Sequence, residues 1–89
     1  RWYRRAAQQG HARAQSNLGV LYANGQGVPK DVIRAYLWLT VAVAGSRGND
    51  VKTAIMNQTT VASDMTAAQI EQAQEMARHC QETQFVQCE

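Results

Sequence analysis

His11 and His79 are the only imidazoles of the chain, and Cys80 and Cys88 its only thiols. A structural zinc site needs four ligands at defined spacing. The two histidines stand on distant segments without such a set around them, so neither a metal nor another cofactor is expected. No serine or cysteine sits in a recognisable nucleophile motif, and no catalytic residue is assigned. Gly25-x-Gly27 has the outline of a phosphate loop, but that fingerprint needs a strand before its glycines, and a helical pattern precedes them here. Arg1, Arg4 and Arg5 around Trp2 and Tyr3 have the types that stack on nucleic acid. The same residues also describe one helix with Trp2 in a core and the arginines in water. The concentrated basic stripe of a nucleic-acid binder is missing, so no nucleic-acid partner is expected.

The cysteines leave two readings open. Cys88 lies in a polar tail beyond Phe85-Val86, the only apolar pair after Cys80. If the tail folds back, a Cys80–Cys88 disulfide closes a nine-residue loop, for ~2.6 kcal/mol by the loop-entropy argument. Otherwise Cys80 is a buried thiol and Cys88 a disordered one. Exposing Phe85 serves no evident purpose, so the tail is expected to turn back, seat Phe85 against the last helix and form the bridge. Such a bridge implies an extracytoplasmic compartment, periplasmic or secreted.

The frame around these residues is helical. The 89 residues make at most one small domain, near the size at which a core is only just sufficient. Alanine (14) and glutamine (11) are abundant and proline occurs once, which suits closely packed helices. No apolar run approaches the ~20 residues that span a bilayer. The net charge of +2 divides unevenly: Arg1 to Lys52 carries eight basic and two acidic residues, Thr53 to Glu89 one basic and five acidic. The start at Arg1 reads as the middle of a helix, as if cut from a longer protein.

Five helices are predicted. The first spans Arg1 to Gln9 and ends at Gly10. The second runs from about His11 to Ala23, with Ala14, Leu18, Leu21 and Tyr22 on one face. Asn24-Gly25 stops it, and Pro29 cannot extend it. The third starts at an Asp31 cap, buries Ala35, Trp38, Leu39 and Ala42, and ends at Gly45. Leu39 to Val43 also reads as a strand, but a 36-residue offset that lays Trp2 on Trp38 and Ala6 on Ala42 argues for helix. The fourth, Asp50 to Ala62, would bury Val51, Ala54 and Ile55, although Thr59-Thr60-Val61 disfavours helix. The fifth opens with a Thr66/Gln69 capping box and a Met65–Ile70 staple, followed by an Ile70, Ala73, Ala77, Cys80 stripe.

The run Asn17-Leu18-Gly19-Val20-Leu21-Tyr22-Ala23-Asn24-Gly25-Gln26-Gly27-Val28-Pro29-Lys30-Asp31 is preceded by Ala6-Ala7-Gln8-Gln9-Gly10-His11-Ala12 and followed by Ala35-Tyr36-Leu37-Trp38. It closely resembles the Sel-1-like repeat, a relative of the tetratricopeptide repeat, over about Trp2 to Gly45. The resemblance implies an all-α fold: an α/α superhelix, or solenoid, of antiparallel helix pairs with a C-terminal capping helix. Residues 1–10 would be the truncated second helix of a preceding repeat, 11–45 a complete repeat, 46–64 a degenerate half repeat, and 65–89 the capping helix and tail. It also implies a non-catalytic scaffold that binds a protein or peptide on its concave face, through Arg13, Ser16, Asn17, Val20, Ala23 and Asn24. The alternative is an exported hydrolase-like or penicillin-binding member of the family. Exported members use disulfides within the helical pair, at positions where this chain has no cysteine. A truncated first helix would leave Trp2 and Tyr3 available for self-association.

Overall fold

A computed structural model describes residues 2–89; expectations that rest on Arg1 or on the Trp2 side chain fall outside the described residues. These form five α-helices, α1 (Trp2–Gln8), α2 (Ala12–Asn24), α3 (Val32–Gly45), α4 (Asn49–Ala62) and α5 (Ala67–Glu82), with no strand among them. Local signals explain most of the boundaries. Asp31 Oδ1 accepts from the Arg34 N–H at 3.0 Å to open α3. Thr66 and Gln69 exchange side-chain-to-backbone bonds of 2.9 and 3.1 Å to open α5. Gly25, at φ 67°, closes α2 in the left-handed conformation that favours glycine.

α3 is the centre of the molecule: α2, α4 and α5 all pack on it, while α1 packs on α2. Sequence periodicity gives α3 one buried face, Ala35, Trp38, Leu39 and Ala42. In the structure Tyr36, Leu37 and Val41 are buried as well. A helix apolar all round is a buried helix, and three neighbours supply the cover. Leu18 and Tyr22 join Trp38 and Leu39 in one cluster with Ala73, Ala77 and Cys80 of α5.

Two close fits set the spacing between helices. An ideal Cβ on Gly19 would lie 2.7 Å from Leu39 Cγ and 3.0 Å from the Ala35 carbonyl oxygen, so only glycine lets α2 and α3 approach this far. Gln15 is buried, and its Nε2 donates to the Ala7 carbonyl at 3.0 Å. That bond gives the Ala7 carbonyl, which also accepts from the Gly10 N–H at 3.1 Å, a second donor and ties one unit to the next.

α4 differs from expectation in its face. Ala54 and Val61 are buried, Val51 is half-buried, and Ile55 points outward at 43% exposure. The inward positions are therefore 51, 54, 58 and 61, a helical stripe that Ile55 falls outside. Thr60 is accommodated because its Oγ1 donates back to the Met56 carbonyl at 2.9 Å.

Candidate functional site

α2 lies against α4, and α3 against α5, so α2 and α4 share one side of the molecule. The six α2 residues singled out from sequence all lie along that α2–α4 side. Arg13, Ser16 and Asn17 line a hollow of about 190 Å³ with Ser46, Asp50 and Thr53. Val20, Ala23 and Asn24 line a second, of about 110 Å³, with Asn57, Thr60 and Val61 among its other walls. Arg13, Asn17 and Asn24 are exposed, and Ser16, Val20 and Ala23 half-buried.

Arg13 faces Asp50 across the groove at 3.3 Å, with both side chains more than half exposed. Such a pair is worth little to stability and leaves both charges available to a ligand. Ser46 Oγ donates to the Ala42 carbonyl at 2.6 Å, and no histidine lines either hollow among the described residues.

On another surface the tail makes a second, tighter constellation. α5 ends in a Schellman motif: Phe85 N–H reaches the Cys80 carbonyl at 2.8 Å and Gln84 N–H the Gln81 carbonyl at 3.1 Å. Gln84 and Phe85 both have positive φ, 54° and 68°. This reversal sends the chain across the molecule, and Cys88 is paired with Cys80 as a disulfide, their Cα atoms 4.2 Å apart. Phe85 packs against the core cluster, which includes Ala73, Ala77 and Cys80 of α5. Its ring also meets the α1–α2 turn, where a Cβ on Gly10 would lie 3.1 Å from Cε2, so the missing side chain at Gly10 makes the notch. Val86 remains 73% exposed.

The tail then delivers Glu89 to three donors, one on each of α1, α2 and α3. Oε2 accepts from Arg4 Nη1 at 2.5 Å and from Trp38 Nε1 at 3.0 Å; Oε1 accepts from the Tyr22 hydroxyl at 2.5 Å. Tyr22 in turn accepts from Arg4 Nη2 at 2.5 Å. Arg34 Nε stands 3.3 Å from Oε1 as an ion pair, but too far out of line to count as a hydrogen bond. Burial, and then the bond to Glu89, raise the Tyr22 phenol above its usual 10. The Arg4 guanidinium is raised too, first by its bond to Tyr22 and, against the opposing cost of burial, by Glu89. Sequence reasoning missed this cradle, because no pattern links positions 4, 22, 34, 38 and 89.

Five packed helices, with no strand among the described residues, are the frame of an α/α helical-repeat protein. The Sel1 repeat matches residues 1–11 and 12–45, just over half of the chain. The chain belongs to the Sel1 repeat family, whose repeats generally serve as protein-interaction scaffolds and are typically non-catalytic. No curated protein and no solved structure matches the chain. None of the described helices is long and apolar enough to cross a membrane, and the described residues hold no group of three or more His, Cys, Asp or Glu suited to a metal.

Proposed function

We propose that the α2–α4 groove binds a segment of a partner protein and that the chain acts as a non-catalytic scaffold. The observation that carries this reading is the alignment of two hollows along α2. Arg13, Ser16, Asn17, Val20, Ala23 and Asn24 line them over almost the whole of α2, with polar groups at one end and a small apolar patch at the other. An extended peptide laid there would exchange the weak Arg13–Asp50 pair for its own charge and seat a small side chain near Val20. The hydrolase or penicillin-binding alternative requires a base beside a hydroxyl, and Ser46 is engaged with backbone instead.

Two finer readings accompany this one. The Cys80–Cys88 pairing supports an oxidising, extracytoplasmic setting. Tyr3, 44% exposed on α1, supports self-association through that helix, which sedimentation over a concentration series would register.

The test is selection of peptides from a displayed library against the intact chain, followed by Arg13→Glu and Val20→Arg. Binders should weaken at least tenfold with either substitution, about 1.4 kcal/mol or more. Binders indifferent to both substitutions, in a chain still folded by circular dichroism, would remove the groove from consideration.

A further inference from the structure

We propose that Arg4, Tyr22, Arg34 and Trp38 form a receptor site for a glutamate side chain, which Glu89 occupies in cis. A partner segment bearing an aromatic residue and a glutamate four positions apart takes its place when the tail is released. The site is separate from the α2–α4 groove.

The donors come from three rigid helices, whereas the carboxylate comes from a strap outside the repeat. Trp38 is fully buried, so its indole N–H would be orphaned without an acceptor at this point. Two guanidinium groups, a phenol and an indole converging on one carboxylate match both oxygens and both charges. The match is incomplete, since the buried Arg34 Nε–H makes no hydrogen bond. A glutamate not constrained by a nine-residue disulfide loop is free to align with it.

The strap defines the ligand. Phe85 fills the notch at Gly10 and Glu89 fills the cradle four residues later. The bound form holds two non-glycine residues at positive φ, a cost that docking must offset and that a partner segment need not share. Tethering sets the competition: a tail fixed beside its site acts at an effective concentration on the order of millimolar or above, so a ligand no tighter than the untethered tail is largely excluded at lower concentrations. A dithiol reductant removes the clamp. It supplies two electrons and two protons to the Cys80–Cys88 bond, giving two thiols while the reductant closes to its own disulfide. Strap release is therefore the expected gate.

The experiment uses the full chain and a synthetic peptide copying positions 84–89, with serine in place of Cys88 and an amidated end. The readout is the Trp38 indole N–H resonance. The peptide should give a saturable shift in the reduced Glu89→Ala chain, and at least tenfold weaker binding to the oxidised parent. A control peptide with glutamine for its glutamate should bind at least tenfold more weakly than the glutamate peptide. Equal binding of the two peptides, or no shift in a chain folded by circular dichroism, overturns the proposal. Acetate alone reproducing the shift at the same concentration overturns the peptide specificity. If Glu89→Ala does not fold, the reduced parent with excess peptide is judged by the same criteria.

Discussion

Glu89→Gln keeps the shape of the side chain, which is 18% exposed, and removes its charge, which makes it the sharpest probe of the cradle. The Arg4 and Arg34 side chains are 38% and 41% exposed, so each lost ion pair is discounted for solvent to about 0.5 kcal/mol. The hydrogen bonds weigh more. A glutamine can place its one oxygen between Arg4 and Trp38, but its NH₂ then faces the Tyr22 hydroxyl, which donates in the native arrangement, and the Arg34 Nε–H, which cannot accept. Tyr22 can turn to accept, at the loss of a charge-assisted bond worth about 1–2 kcal/mol. The sum is about 2–3 kcal/mol, against a total stability on the order of 4–13 kcal/mol for a chain of this length. The melting temperature should fall by roughly 10–20 °C. Thermal circular dichroism at pH 7 measures it, and a double-mutant cycle with Tyr22→Phe should return a coupling on the order of 1 kcal/mol. A Glu89→Gln chain melting within about 2 °C of the parent would refute the account.

Gly19→Ala should destabilise by about 1–3 kcal/mol in urea titration, because the Ala35 carbonyl cannot move aside and overpacking outweighs the gain of about 1 kcal/mol in helix propensity. Trp38→Ala should cost about 3–5 kcal/mol, and a variant with the parent's denaturation midpoint would contradict the packing around α3. The Tyr22 phenol should titrate above 10 by ultraviolet absorbance difference against Tyr22→Phe. Its raised folded value means that its contribution to stability is complete below about 10 and is lost as pH rises through the folded value. Alkylation of unreduced protein should add no mass and alkylation after reduction two adducts; two adducts without reduction would exclude the bridge and the extracytoplasmic argument with it.

The helices are legible in sequence where a local device marks them. The Asp31 cap, the Thr66/Gln69 box and the Gly25 stop act over three or four residues. The face of α4 is less so, since Ile55 is as apolar as Val51 and only the position of α3 decides which is covered. Burial on nearly all sides of α3 is likewise a tertiary fact: Tyr36 and Leu37 look surplus to one stripe until α4 and α5 are in place. Helical periodicity gives the arc of α2 left over from packing, and the family resemblance supplies its reading as a binding face. The glutamate cradle has no local signature. Its members are brought together by a left-handed turn at Gln84 and Phe85, where neither residue is the glycine that usually announces one.

The bond from Glu89 to Arg4 joins residues 85 positions apart. An open stack of repeats behaves as a one-dimensional chain, in which each unit feels only its neighbours and the ends fray first. Here the strap returns from α5 to α1 and links them directly. Opening α5 must release the Glu89 hold on α1 and α3, and fraying of α1 must disturb the strap. Amide protons of α1 and α5 should therefore exchange with solvent in a single cooperative event rather than as two independent low-energy openings. Reduction of Cys80–Cys88 should separate that event into two.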